Sequence, residues 1–197
     1  MTAMPENTWN VITDSLGLLR NAAMLVSDAD ADAPTPCSAW TVTQVLQHAV
    51  GDQLAWAAAI GVGTGPAENP FTPSGFLKES VDEFIEPALA TARTAWASVR
   101  PDNGAVPTPL PQGPLPAATA AAACALDAAV HAWDIAVALG KPGGLTDELA
   151  ALLLPAARSI VEPLRQFGAY AAALPPSPED DHVAELLRYL GRDPQWA

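Results

Sequence analysis

Residues 115–140 read LPAATAAAACALDAAVHAWDIAVALG, and this stretch decides the fold class. Alanine gives up no side-chain freedom in a helix and heads the helix-propensity scale, so the run predicts a helix from about Leu115 to Leu139. Gly140-Lys-Pro-Gly-Gly144 ends it, with a glycine at the C-cap and a proline soon after. Proline and glycine cut the rest of the chain into further helix-sized pieces.

Upstream, Trp9, Ile12, Leu16, Leu19, Ala23 and Val26 recur at spacings of three and four, one apolar face of a first helix from about Pro5 to Ser27. It stops in the acidic run Asp28–Asp32, which lacks the glycine and distal glutamate of a calcium loop and reads as a solvated turn. Thr35-Pro-Cys-Ser-Ala-Trp-Thr41 leads into a second helix, with Thr41 or Ser38 as the N-cap hydroxyl. Val42, Val45, Leu46, Ala49, Leu54 and Trp56 carry that helix to Gly61-Val-Gly-Thr-Gly65. The glycine cluster follows a helix rather than a strand and lacks the Lys-Ser/Thr ending of a phosphate loop, so it is a plain loop.

A third helix is expected over Pro73–Val99, with Phe76, Leu77, Phe84, Leu89 and Trp96 in the core and a kink at Pro87. Residues 100–116 hold six of the 20 prolines and form an extended connection. A fifth helix runs from Asp147 to about Phe167 with kinks at Pro155 and Pro163, and a short sixth covers Glu179–Leu190. No stretch alternates as a strand does, and no internal repeat is present. The expected architecture is an all-α helical bundle with appended C-terminal helices.

At 197 residues the chain suits one domain spanning 1–197, and half of it is apolar, enough for a core without disulfides. Its formal charge of −13 repels phosphate backbones and anionic lipid headgroups, which argues against nucleic-acid and membrane partners. Two cysteines make no disulfide framework; Cys124 reads as a small core residue, and Cys37, with no base flanking it, as structural. The start MTAMPENTW has no basic, apolar leader. The most apolar run, Ala117–Leu126, meets Asp127 well short of the ~20 residues of a spanning helix. A cytoplasmic setting is the resulting expectation.

Three histidines are few, so their places carry information. Asp127 and His131 stand four apart on the fourth helix, one above the other on one face, where carboxylate and imidazole can converge on one ion. His48 lies midway along the second helix among apolar neighbours; if those two helices face each other, it supplies a third ligand. Two histidines and one carboxylate leave positions open for water and substrate, as a catalytic ion requires. Taken from spacing alone, His48 and His131 read more readily as separate core histidines, each bonded to a carbonyl or carboxylate. Asp134 falls near the face of His131 and can orient it, or cap or pair elsewhere; Asp52, one turn past His48, is a supporting group or a further ligand. Arg158 and Arg165 are candidates for holding a carboxylate of a substrate or cofactor. His182 reads as a surface residue, and Trp40 and Trp133 as core wedges.

Three blocks carry a family resemblance: Thr35-Pro-Cys-Ser-Ala-Trp-Thr-Val-Thr-Gln-Val-Leu-Gln-His48, His131-Ala-Trp-Asp-Ile-Ala136 and Leu187-Arg-Tyr-Leu-Gly-Arg-Asp-Pro194. In that order they resemble the N-terminal family of mycothiol-dependent maleylpyruvate isomerases, a branch of the DinB-like metalloenzymes common in actinobacteria. The resemblance implies a DinB-like four-helix bundle holding a divalent ion, usually zinc, on His48, Asp127 and His131. It further implies a site where a low-molecular-weight thiol such as mycothiol is activated toward a small electrophilic metabolite, in a transferase or isomerase reaction. The better-known isomerases carry Glu at the position of Asp127, and a C-terminal domain for which this length leaves no room. Thiol-independent lyase, hydrolase or cyclase chemistry, or a non-catalytic metal- or ligand-binding bundle, monomeric or homodimeric, stand as the other expectations.

Overall fold

Capping chemistry sets where the helices begin in the computed structural model, which describes residues 9–37 and 39–196. Helix α1 (Asn10–Ala23) follows Trp9 without a side-chain cap. Thr41 opens α2 (Val42–Ile60): its hydroxyl accepts from the Gln44 backbone while its own N–H donates to the Gln44 side chain. Ser80 and Glu83 form the same reciprocal box at the start of α3 (Val81–Ser98). Helix α4 (Ala117–Ala138) follows Pro116. Thr146 caps α5 (Asp147–Arg165) and Asp181 caps α6 (His182–Tyr189). Among the described residues there are two isolated β-bridges and no strand.

These caps correct two expected boundaries. The third helix starts at Val81, not Pro73, because the Ser80–Glu83 box sets its first turn and residues 73–76 bond sideways to α2. Gln44 Nε2 donates to the Pro73 carbonyl at 3.2 Å, the Gly75 N–H to Gln47 Oε1 at 2.8 Å, and Gln47 Nε2 to the Phe76 carbonyl at 2.9 Å. Phe76, expected in the core, is 70% exposed on that loop. The last helix starts at His182 rather than Glu179, since the Asp181 carboxylate accepts from the Ala184 N–H at 2.8 Å. Pro87, Pro155 and Pro163 all lie inside continuous helices. Thr41 takes the N-cap role; Ser38 and the expected start at Pro5 lie outside the described residues.

Packing partners define a ring. Helix α1 lies against α4 and α3, and α2 lies against α3 and α4, so the bundle runs α1, α4, α2, α3 around its axis. Chain neighbours α1 and α2, and likewise α3 and α4, therefore occupy diagonals. The segments 24–41 and 99–116 must cross the bundle, which suits the extended, proline-rich backbone of the second. Helix α5 docks on α4, and α6 on α5.

Contacted by α1, α2 and α5, helix α4 has no solvent stripe, and most of its residues are buried. Its alanines allow that close approach from several sides. By length and composition this helix is apolar enough to cross a bilayer, since the apolar run continues past Asp127 to Ala138, but 89% of its most apolar window is covered by the rest of the fold. In the core Trp96 meets the partly buried Trp9 edge-on at 5.8 Å and the buried Trp56 at 6.2 Å, and burial of Trp56 and of Trp96 stabilises by roughly 1.5–3 kcal/mol each.

Trp133 fills its place as a core wedge, 5% exposed, with Gly143 pressed against it. A Cβ on Gly143 would stand 2.0 Å from Trp133 Cδ1, and that ring cannot give way. Gly143→Ala is expected to cost about 1–3 kcal/mol by overpacking. Gly17→Ala, mid-helix in α1 with nothing within 4 Å, is expected to gain roughly 0.5–1 kcal/mol. Urea unfolding of the two variants checks these opposite signs; equal effects contradict the packing described.

Candidate metal centre

Because α2 and α4 are neighbours in the ring, side chains from their facing sides meet. His48 comes from α2, and Asp127 and His131 from consecutive turns of α4. One oxygen of Asp127, Oδ1, lies 3.6 Å from His48 Nε2 and 3.4 Å from His131 Nε2. The three ligand-type atoms fall within 4.8 Å of one another, and the side chains are only 7%, 11% and 9% exposed. A tetrahedral ion with bonds of about 2.0–2.2 Å sets its ligands roughly 3.3–3.6 Å apart. The two contacts match that edge and are longer than a good hydrogen bond. The donor set therefore fits a divalent cation.

The outer ring nitrogens are already engaged. His48 Nδ1 lies 3.0 Å from the Pro70 carbonyl, which can only accept, so this nitrogen carries the proton. Pro70 reaches that position over Gly51, where a Cβ would come within 2.8 Å of the proline ring. His131 Nδ1 donates to Asp134 Oδ2 at 3.0 Å. Asp134 is fully buried and takes a two-pronged bond from Arg192, Nε to Oδ1 at 2.9 Å and Nη2 to Oδ2 at 2.7 Å. Both Nε2 atoms are thereby turned toward Asp127. Gln53 Nε2 steadies the other Asp127 oxygen at 3.4 Å and also donates to the Cys124 carbonyl.

Charge follows this geometry. Burial disfavours charge on His131, but Asp127 and Asp134 outweigh it and raise the ring to about 10. Burial likewise opposes ionisation of Asp127, yet His131 and His48 hold its carboxyl well below the usual range. Asp52 is pushed the other way, to about 7, by burial and then by the Asp127 charge beside it. Asp134, against the cost of burial, is held low by Arg192 and His131.

The walls are aromatic. The Trp40 ring lies 4.6 Å from that of His48, and Phe71, itself 59% exposed, lies 5.3 Å away edge-on. Trp40 is half-buried and lines the site, a place that its reading as a core wedge does not convey. Burial pushes the Cys37 thiol up, with His131 partly opposing, so it stays protonated at neutral pH as a structural thiol does. Cys124 is buried, bonded to Gln53 and Trp96, and pushed up further.

The other candidates lie elsewhere or are spoken for. Arg158 pairs with Glu185, and Arg165 bonds the carbonyls of Ala171 and Tyr189 and the Glu162 carboxylate. None of their described bonds reaches the cluster. His182 is exposed and ties α6 to α5 through Asp147 at 2.8 Å. A cleft of about 350 Å³ opens between α2 and the 66–79 loop, lined by Gln47, Val50, Leu54 and Pro70 but by none of the three ligand-type side chains. Arg192, Gln53 and the Pro70 carbonyl are the supporting groups that spacing does not disclose; only the block Leu187–Pro194 marked the first.

A family model for the mycothiol maleylpyruvate isomerase N-terminal domain matches residues 13–136. Uncharacterised proteins from two Mycobacterium tuberculosis strains, CDC 1551 / Oshkosh and ATCC 25618 / H37Rv, are each 34% identical over 178 residues, covering 86% of this chain and 91% of theirs. No solved structure matches.

Asp134→Asn keeps the shape but leaves the Arg192 charge buried without its counter-ion, at an expected cost of about 3–5 kcal/mol. Because the folded pKa of Asp134 is depressed, its contribution is present above the unfolded value of about 3.9 and is lost as pH falls through the folded one. The stability gap between wild type and D134N is thus expected to close in acid. Thermal unfolding across pH checks it, and a gap independent of pH contradicts the pairing.

Proposed function

The chain belongs to the mycothiol maleylpyruvate isomerase N-terminal domain family, and on that footing we propose that it is a metal-dependent enzyme of small-molecule metabolism. In this reading His48, Asp127 and His131 hold a divalent ion, zinc in ordinary occupancy. The reaction is transfer of a low-molecular-weight thiol such as mycothiol to a small electrophile, or its thiol-assisted isomerisation. The observation that carries it is the orientation of two imidazoles: each Nδ1 is bonded to an acceptor, and each Nε2 faces the same carboxylate oxygen at 3.4–3.6 Å.

A bound divalent ion supplies Lewis acidity, which lowers the pKa of a thiol brought to it. The protein's own groups do the rest. Asp134 and the Pro70 carbonyl orient the two rings, and Gln53 holds the second oxygen of Asp127. Trp40 and Phe71 pack against the His48 ring and limit water around it. Asp52, one turn along α2 from His48, is raised to about 7 in the metal-free protein by burial and the Asp127 charge, and a bound cation would draw it back down. His48, Asp127 and His131 would supply three ligands to a divalent ion, fewer than the four of a closed structural site.

Elemental analysis of the purified protein is expected to find about one zinc per chain, and His48→Ala to lose most of it. Unchanged metal content in H48A ends the assignment. Since His131 is raised to about 10, its ring is protonated at pH 7, and a cation seating there must displace that proton. Zinc binding to the metal-free protein is therefore expected to release about one proton at pH 7 and to tighten as pH rises. Calorimetry in buffers of different ionisation enthalpy reads the release. Titrating mycothiol into the zinc form then separates the chemistries: no binding favours a thiol-independent lyase, hydrolase or cyclase.

A further inference from the structure

We propose that Arg192 is a positioning residue of the metal centre: by gripping Asp134 in a two-pronged bond, it fixes the ring of His131 so that Nε2 is presented to the ion. The proposal rests on the metal reading above and adds a residue from outside the matched region, which ends at 136.

The pair is an unusual expense for stability alone. Arg192 is 7% exposed and Asp134 not at all, and replacing a buried ion pair by apolar side chains of similar volume is often neutral or stabilising. What the pair provides is direction. Parallel bonds of 2.9 and 2.7 Å hold the carboxylate plane, and the oxygen that takes the shorter one also accepts from His131 Nδ1 at 3.0 Å. A carboxylate free to turn about its Cβ–Cγ bond would not hold the imidazole in one orientation. His48 needs no such device, because its acceptor is the backbone carbonyl of Pro70.

The guanidinium is itself tied down. The Arg192 N–H bonds the Leu187 carbonyl at 2.8 Å and Nη1 the Leu190 carbonyl at 3.4 Å, both at the end of α6. Gly191 makes the turn between them at φ +81, a conformation L side chains rarely adopt. A Cβ there would stand 2.8 Å from both the Ala171 Cβ and the Ala172 carbonyl oxygen. The chain crosses over Gly191 and is pinned by the Leu174 N–H to the Arg188 carbonyl at 2.8 Å. The block Leu187–Pro194 thus serves as the base from which Arg192 reaches α4.

The test uses the full chain with Arg192→Lys, which keeps the charge but loses the fork, because Arg192→Ala strands the Asp134 charge and is prone to unfold. Two readouts are taken, with circular dichroism to verify folding. Zinc affinity, measured by competition with a chromophoric chelator, is expected to fall about 10–100-fold. In proton NMR of the metal-free protein, the His131 Nδ1–H resonance is expected to broaden through exchange with water, while that of His48 stays as in wild type. Both changes are required. A variant that only melts at lower temperature, with zinc affinity and the His131 resonance unchanged, has a merely structural arginine and overturns the proposal. A change in one readout without the other overturns it too, because the effect would not run through His131. If wild type binds no zinc, or H48A binds as tightly, the metal reading fails by itself. An altered His131 resonance in R192K would then still show Arg192 orienting the ring, and an unaltered one would remove that as well.

Discussion

Burial of α4 from three sides is the constraint on which the rest of the molecule depends. Its alanines make that burial cheap, since they give up no side-chain entropy and let neighbours approach closely. But Asp127, His131 and Asp134 go in with them, and a polar group taken from water must find a partner or destabilise the core. His131 finds Asp127 and Asp134 on its own helix, and the remaining partners come from neighbouring elements. Helix α2 brings His48 and Gln53, and the end of α6 brings Arg192. The ring order α1, α4, α2, α3 is what makes α2 the element facing Asp127. The crossing segments 24–41 and 99–116 are the topological consequence.

That constraint also explains which parts of the molecule were readable in the sequence. Local signals behaved well: the Ala-rich run, the Thr41 cap, the glycine after α2 and the i, i+4 pair all express rules operating within a turn or two. Phe76 shows where such rules fail. Its apolar character suggested a core position, yet Gln44 and Gln47 hold residues 73–76 outside as a loop, and those bonds span 28 or 29 positions. Trp40 was legible as an aromatic but not as a wall beside His48. Arg192 is the extreme case, since it acts on a residue 58 positions away and no periodicity connects the two. Its only trace was the resemblance of residues 187–194 to a family block, which marked the stretch without assigning it a task.

The metal reading gains from the same comparison of local and distant effects. Asp127 and His131 share one helix face for reasons of helical geometry alone, and such pairs arise without any ion. What spacing cannot produce is the coordinated engagement of both Nδ1 atoms, one by a backbone carbonyl from the loop after α2 and one by a carboxylate that is itself held. Acceptors at both outer nitrogens leave the inner ones no role among the described bonds except toward Asp127.

The short arm of Asp127 bears on how the proposed centre would be built. An aspartate places its oxygens closer to its own helix, so the partner helix has to come to it. Here Asp127 Oδ1 stays within 3.6 Å of both imidazoles, one on its own helix and one on α2. The small side chains of α4 permit that approach, and Gly51 on α2 lets Pro70 close behind His48. A site reached by bringing backbones together has little slack: each ligand's orientation must be imposed from outside by a carbonyl, an amide or a guanidinium, since a short carboxylate cannot swing to meet a misplaced ion. The density of supporting bonds around so few candidate ligands is the physical counterpart of that short arm.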